Sequence, residues 1–431
     1  MNWLLQDLVT SEVERRPGAT AILADGSAVT YQQVEDRSNQ LARLLRDTGC
    51  RRGDRVCILA PRGAAAIVAM LAVLKADAIF VPVESTGSVA ALDRIVQTSQ
   101  PACILTAALT APLVDGLIAR RTIDAGTVIG SLEDRPIAGR QFSTAFSMHD
   151  AAHGHSRPLA YRNRATNPAY VVFSGVDQTS RGVVGTHAGV MRFVQWANEY
   201  FGVGPDDHHP FSIPVAWDWS VYEILGALAA GAVLHPVPVE LAYAPQGLGD
   251  FVRRMALTQW CAPPETLEAM AAADVVAPGD FPKLERVMWR GGAVSQRALR
   301  YWLTRLGHVR FTALYGSSEA TIASAYYTVP RSGAANAEGL PIGTPCPGVE
   351  VLVLDDALEP VAFEQVGEVC IRGLGVSPGY WRNPEATRAV FLSSPREWER
   401  TDPIYRTGDL ARRGPDGQIY VVGRRQAVAR S

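Results

Sequence analysis

The chain has 431 residues, 47% apolar and 19% charged, with a formal charge of −2 from 41 basic and 43 acidic residues. That balance excludes a disordered chain and a strongly basic nucleic-acid binder, and it gives no electrostatic reason to expect an anionic membrane as partner. The length exceeds one ordinary core and predicts about two to four packed subdomains.

Six cysteines, Cys50, Cys57, Cys103, Cys261, Cys346 and Cys370, are scattered without a C-x-x-C pair, and read as reduced, packed thiols. The start, MNWLLQDLVTSEVERRPG, has no basic n-region and meets acids early. It reads as a helix rather than a signal peptide, so a cytoplasmic protein is expected. The longest apolar run, residues 64–74, is too short to span a bilayer. Only two lysines, Lys75 and Lys283, stand against 39 arginines, so any mechanism that needs a lysine has two candidates.

In chain order, Thr30-Tyr31 opens a helix running to Leu45, with Val34, Leu41 and Leu45 on one face. Gly53-Asp54 turns into a strand over 55–59, a helix follows over about 63–76, and a strand over 78–82. Residues 83–106 repeat the pattern and end in a strand over 102–106, an alternation that indicates a parallel sheet flanked by helices. Between 120 and 167, Pro, Gly, Ser, Asp and His dominate, which predicts a long surface connection.

The stretch AYVVFSGVDQTSRGVVGTHAGV, 169–190, reads as strand, loop and helix. Gly175 and Gly182 allow a loop whose amides face an anion at the helix start, the anatomy of a phosphate-binding loop. A bare strand-glycine-helix unit also occurs in α/β folds that bind no nucleotide, so both readings stand on this stretch alone. Beyond a helix to about residue 200, residues 221–230 read as a helix and 232–237 as a strand. Further alternation runs to Tyr315, and from 349 to 372 short strands and turns predict a small β subdomain.

Five segments carry a family resemblance: LKADAIFVPVE at 74–84, WDWSVYEILGALAAGA at 217–232, LYGSSEATIAS at 314–324, GEVCIRGLGVSPGYWRNPEATRAVF at 367–391, and YRTGDLARRGPDGQIYVVGRR at 405–425. In this order they resemble the adenylate-forming superfamily, most closely the adenylation domains of nonribosomal peptide synthetases. The resemblance implies an α/β fold: a large N-terminal core over 1–425 with two αβαβα-type subdomains, about 1–200 and 201–345, a small β-barrel-like subdomain over 346–425, and a truncated hinge at 426–431. It implies activation of an α-amino acid with ATP to an aminoacyl adenylate, with magnesium as cofactor and a carrier protein or complementary C-terminal domain as partner. Neither nucleic acid nor membrane is implied.

By the same resemblance, Glu319 would be the magnesium ligand and Ser318 a hydroxyl on a phosphate. Tyr315 would stack on adenine, Asp409 would accept the ribose hydroxyls, and Arg424 would lie beside them. Asp218 would pair with the substrate ammonium, a charge-assisted contact that a plain acyl ligase does not need, although Asp-Trp-Ser before a helical run also suits an N-cap. Trp219, Tyr222, Cys261, Met288, Arg290, Leu314 and Ile322 would line the side-chain pocket. Arg290 either pairs with an acidic or carbonyl-bearing substrate or points to solvent, with solvent the favoured reading.

Two departures stand out. The family loop runs threonine-serine-glycine, two small or hydroxyl residues, glycine, any residue, proline, lysine and glycine. Here those positions are Phe173, Ser174, Gly175, Val176, Asp177, Gln178, Thr179, Ser180, Arg181 and Gly182. Ser174, Gly175 and Gly182 match, and Arg181 takes the lysine's charge. A carboxylate about 4 Å from a phosphate charge costs roughly 4 kcal/mol at an effective dielectric of about 20. Losing hydroxyl contacts adds about 1 to 3 kcal/mol, so ATP affinity is expected to fall by about two to four powers of ten. At the other end, the hinge position is Gln426 and the chain stops at Ser431, before the family's mobile domain of about a hundred residues. Neither Lys75 nor Lys283 sits where that domain's lysine belongs, and the chain alone is expected to adenylate slowly. The alternatives are a non-catalytic or repurposed adenylation-like scaffold, which the eroded loop favours, and an acyl or aryl coenzyme A ligase, which Asp218 disfavours.

Overall fold

A computed structural model describes residues 3–24, 26–124, 126–174, 181–331, 339–392 and 403–425. The chain forms two compact units, Met1–Val239 with Tyr380–Arg382, and Glu240–Gly379 with Asn383–Ser431.

The first unit is built on a six-stranded sheet. Val128–Ser131, Cys103–Thr106, Arg55–Leu59, Ile79–Val83 and Pro168–Ser174 run parallel in that spatial order, and Arg181–Thr186 closes the edge antiparallel to Pro168–Ser174. Alternation decides the faces. Cys57, Leu59, Val81, Val83, Ile104 and Val171 point to one side and pack with Leu92, Val96, Val114 and Leu117 of the helices Val89–Ser99 and Ala111–Ala119. Val56, Ile58 and Phe80, one residue out of step, are buried on the other.

The helix Tyr31–Asp47 starts where the sequence predicts: the Thr30 hydroxyl accepts from the Gln33 amide at 3.2 Å and Gln33 returns the bond to the Thr30 amide at 2.9 Å. It packs on Ala64–Lys75, a helix buried from Ala66 to its end. Lys75 is wholly buried there, its Nζ 2.8 Å from Glu35 Oε2 and donating to Ser38 Oγ at 2.8 Å. One of the two lysines is therefore a structural ion pair within three packed layers of helix and strand. A second, four-stranded sheet orders Ser27–Thr30, Thr20–Ala24, Val233–Pro236 and His208–Phe211.

Residues 120–167 are more ordered than their composition predicts. Val128–Ser131 is a sheet strand, Met148–Ala152 is a helix, and Leu132, Ile137, Phe146 and Leu159 are buried. Long-range polar contacts replace periodicity as the organising signal. Arg43 donates to the carbonyls of His155, Arg157 and Pro158, and the Asp77 carboxylate accepts the amides of Arg162 and Asn163.

The second unit holds two sheets. Gln259–Cys261, Arg286–Arg290 and Arg310–Tyr315 are parallel, followed by antiparallel Ala325–Thr328 and Thr344–Pro345. Trp302 anchors the packing beneath, its ring 6.1 Å from Trp260 and 6.3 Å from Phe311, with its indole N–H donating to the Leu267 carbonyl at 3.1 Å. The other sheet is antiparallel throughout, from Val349–Leu354, Gly367–Gly373, Phe391–Leu392, Ile404–Arg413 and Ile419–Arg424. It is the small, half-barrel-like β subdomain expected. All six cysteines are buried and none is in a disulfide, and among the described residues no helix is long and apolar enough to cross a membrane.

Candidate active site

In the second unit, Tyr315 ends the strand Arg310–Tyr315 and Asp409 lies in Ile404–Arg413. The two meet: the Tyr315 hydroxyl donates to Asp409 Oδ2 at 2.8 Å. Burial, and after it the Asp409 charge, hold the phenol well above its ordinary range, so it remains a donor. Asp409 sits opposite Arg424 in the strand pairing, and the exposed Arg424 guanidinium reaches to 3.9 Å of Oδ1. The Asp409 amide donates to Thr407 Oγ1 at 3.0 Å, fixing the turn that carries the carboxylate.

The YGSSE segment folds into a short reversal. At Gly316 a Cβ would lie 2.6 Å from the Ala323 Cα, so the returning chain excludes any side chain. Ser318–Ala320 makes one 3-10 turn, after which Thr321 and Ile322 both take positive φ, 52° and 66°. Two successive left-handed residues, both β-branched, are costly, about 1 to 3 kcal/mol each. Their surroundings hold them. The Ser324 amide donates back to the Tyr315 carbonyl at 2.7 Å, Thr321 Oγ1 donates to the Gly375 carbonyl at 2.6 Å, and the Ser377 amide donates to the Glu319 carbonyl at 2.8 Å.

Arg290 completes this support and corrects an expectation. It does not point to solvent: it is 8% exposed, and its guanidinium donates to the Ile322 carbonyl. The residue that read as a pocket wall or a solvated cation thus braces the strained turn. Cys261 pairs in register with Met288, and Arg290 with Leu314, so these four lie toward the C-terminal ends of parallel strands, where α/β sheets place ligands. Cys261, Met288, Leu314 and Ile322 are all buried. Ser318 is buried and Glu319 half-buried. Among the described residues no group of three or more His, Cys, Asp or Glu is arranged to hold a metal. A half-buried carboxylate such as Glu319 suits magnesium, which keeps water and phosphate oxygens as most of its ligands.

In the first unit, the stretch that read as strand, loop and helix is a β-hairpin. Ser174 ends one strand and Arg181 begins the next, with Ser174 opposite Arg181 and Phe173 opposite Gly182. The helix, His187–Phe201, starts only afterwards and is capped by Thr186, so it does not open on the loop. Gly182 is accordingly a packing glycine, since a Cβ would lie 2.8 Å from Val171 Cγ1 and 3.0 Å from Phe173 Cζ. Gly175, Val176, Asp177 and Gln178 lie outside the described residues. Arg181 is exposed, with its guanidinium carbon 5.1 Å from the centre of the Tyr380 ring. The Trp381 amide donates to the Gly182 carbonyl at 2.6 Å, so the tripeptide Tyr380–Arg382 pins the hairpin base.

Asp218 is the first residue of the helix Asp218–Ala229, not its cap; Trp217 holds the cap position. Its side chain is fully buried, as are Trp219 and Tyr222, the latter edge-on to Phe193 at 5.3 Å. The helix dipole favours an anion in the first turn. Tyr380, the left-handed backbone of Thr321 and Ile322, and Glu223 five residues along this helix carry roles beyond those read from the sequence. The first two depend on contacts that no local pattern reveals.

A family model described as AMP-binding enzyme matches residues 9–381. Over 424 residues the chain is 28% identical to Bacitracin synthase 1 of Bacillus licheniformis, covering 98% of this chain and 8% of that protein. It therefore spans a small part of that relative's length. Among solved structures, the nonribosomal peptide synthetase FmoA3 superposes with a TM-score of 0.86 at 25% identity, over 98% of this chain and 42% of that one. FmoA3 is also known in AMPPNP-bound and alpha-methyl-L-serine-AMP-bound forms. A putative long-chain-fatty-acid CoA ligase from Rhodopseudomonas palustris superposes with a TM-score of 0.83 at 20% identity, covering 98% and 99% of the two chains, which is a likeness of fold.

Proposed function

This chain belongs to the AMP-binding enzyme family, whose model matches most of its length, and from that membership we propose that it is an amino-acid adenylation core of the nonribosomal peptide synthetase type. The observation that carries the reading is Asp218, a carboxylate buried in the first turn of its helix, in the segment that resembles the amino-acid-recognising part of such domains. A buried anion matches an ammonium, which an α-amino acid has and a fatty or aryl acid lacks. The adenylate of an amino acid bound by FmoA3 supports the same class.

The proposed reaction is attack of an amino-acid carboxylate oxygen on the α-phosphorus of ATP. A new oxygen-phosphorus bond forms as the bond to the bridging oxygen breaks, and pyrophosphate leaves. Asp218 pairs with the ammonium and so orients the carboxylate. For the substrate side chain the family resemblance assigns Trp219 and Tyr222 in the first unit and Cys261, Met288, Leu314 and Ile322 in the second, all of them buried. Tyr315 offers its ring to adenine while its hydroxyl fixes Asp409, and Asp409, with Arg424 beside it, accepts from the ribose. In the first unit, the exposed Arg181 is the proposed cation for the phosphates, and in the second unit Ser318 is the proposed hydroxyl for them; the phosphate roles read from the sequence for Gly175 and for the Ser174 side chain fall outside what the structure describes. Glu319 would hold magnesium, which when bound neutralises phosphate charge. A carrier protein or a complementary C-terminal domain is the proposed partner for transfer of the acyl group.

A repurposed, non-catalytic binding module is the second reading, favoured by the sequence Val176-Asp177-Gln178 in the phosphate loop. Calorimetric titration with AMP and, separately, with ATP plus magnesium tests both. Micromolar ATP binding supports the adenylation reading and leads to a screen of amino acids by ATP–pyrophosphate exchange. AMP binding without ATP binding locates the defect in the loop, and binding of neither removes the adenylation reading.

A further inference from the structure

Between the strand His208–Phe211 and the helix Asp218–Ala229, the linking residues 212–217 read SIPVAW. Ile213 and Val215 are buried, which draws the backbone inside, yet the segment belongs to no sheet and Pro214 has no amide. Its buried N–H groups need acceptors from elsewhere. Two carboxyl groups supply them. Glu223 Oε2 accepts the amides of Ser212 at 3.0 Å and Ile213 at 2.8 Å, while Oε1 accepts the Ser212 hydroxyl at 3.0 Å. Glu84, the last residue of the LKADAIFVPVE segment, accepts the Val215 amide at 3.1 Å and also hydrogen-bonds the Ala216 amide. Arg62 donates to the Ser212 carbonyl and acts electrostatically on both carboxyl groups. The Ser220 hydroxyl, donating to the Trp217 carbonyl at 2.7 Å, ties the far end to the helix.

We propose that Glu223, Glu84 and Arg62 are positioning residues that clamp residues 212–217 and thereby set Asp218 where it meets the substrate ammonium. The clamp spans two separate sequence segments and the helix that carries Asp218, so a slack linker moves the first turn of that helix. A core role alone would call for apolar side chains here; three side chains that each end on the same six-residue backbone serve to fix its path. The substrate half of this inference rests on the adenylation reading, and the backbone half does not.

The experiment therefore has two readouts on the full chain. Amide hydrogen exchange, followed by mass spectrometry over 212–217, is compared for wild type, Glu84→Ala, Glu223→Ala and Glu223→Gln. The expected result is exchange faster by about tenfold or more in both alanine variants, with Glu223→Gln retaining protection because an amide can accept from the two N–H groups and donate to the Ser212 hydroxyl. Should Glu223→Ala not fold, Glu84→Ala and Glu223→Gln carry the comparison. In parallel, ATP–pyrophosphate exchange with the best amino acid is expected to show KM for the amino acid raised at least about tenfold in Glu84→Ala, with KM for ATP within about twofold. Unchanged exchange in both alanine variants overturns the clamp. Faster exchange with an unmoved amino-acid KM, while Asp218→Ala does raise it, overturns the link to Asp218. If Asp218→Ala itself leaves that KM unmoved, the adenylation reading of Asp218 fails and the substrate half falls with it, whereas faster exchange still upholds the clamp.

Discussion

Tyr315 and Asp409, 94 residues apart, share a 2.8 Å hydrogen bond in which the phenol donates to the carboxylate. The bond ties the end of a strand in one sheet of the second unit to a strand of the other. The other carboxylate oxygen, Asp409 Oδ1, lies 3.9 Å from the Arg424 guanidinium.

Replacing Tyr315 by Phe keeps the ring and removes the donor. A hydrogen bond to a charged group contributes about 1.5 to 3 kcal/mol, part of which appears as looser placement of Asp409. AMP affinity is expected to fall about tenfold, and Asp409→Ala to cost more because the proposed ribose acceptor itself is lost. Calorimetric titration with AMP reads both. An unchanged affinity in Tyr315→Phe would remove the hydroxyl's role in ordering Asp409.

Arg290 braces the strained Thr321-Ile322 turn through the Ile322 carbonyl. Methionine there fills comparable volume but leaves a buried carbonyl short of a donor, a loss of about 1 to 3 kcal/mol. At about 2 to 4 °C per kcal/mol for a unit of this size, Tm should fall by several degrees. Lysine should recover part of the loss, since it keeps a donor but not the planar fork. Thermal unfolding of the three proteins decides: a Tm for Arg290→Met equal to wild type means the turn holds without the arginine.

The parts of the molecule legible in the sequence are those where local periodicity and burial coincide. Val34, Leu41 and Leu45 mark one face of a helix that the structure places at Tyr31–Asp47, and the run at 55–59 is a strand with the same limits. Reading failed where contact is distant. RGVVGT, 181–186, is short, glycine-bearing and next to a helix, so it read as loop, although pairing with Pro168–Ser174 makes it a strand. Residues 155–163 are held by Arg43 and Asp77, more than eighty residues away, and Val128–Ser131 by pairing with Cys103–Thr106. Arg290 looked solvated because an arginine usually is, and only the folded turn shows the carbonyl that it serves.

Glu223 should make stability depend on pH. Complete burial raises its carboxyl to about 8, against hydrogen bonds from Ile213 and Ser212 and the charge of Arg62, which act the other way. A carboxyl raised on folding prefers its proton in the native state. Its contribution is therefore fully present below the unfolded value near 4.5 and is lost as pH rises through about 8. Across that window the slope approaches about 1.4 kcal/mol per pH unit. Glu223→Gln, permanently neutral, lacks this term. Urea unfolding at pH 6 and pH 9 should show wild type losing more stability than Glu223→Gln on going to the higher pH; parallel losses would mean that Glu223 is ionised throughout.

Asp218 offers the sharpest functional test, because the two ligands of the proposed reaction draw on different residues. In the proposed assignment Asp218 meets only the amino acid, whereas adenosine recognition rests on Tyr315 and Asp409. Removing a charge-assisted contact of about 1.5 to 3 kcal/mol corresponds to about ten- to a hundredfold in amino-acid affinity. Asp218→Ala should therefore raise the amino-acid KM by that factor while AMP binding stays within about twofold. Asp218→Asn, isosteric but uncharged, should fall close to alanine if the charge matters and close to wild type if only the hydrogen-bond geometry does. Equal weakening of both ligands by Asp218→Ala would mean that the residue supports the unit as a whole, and the substrate ammonium would need another partner.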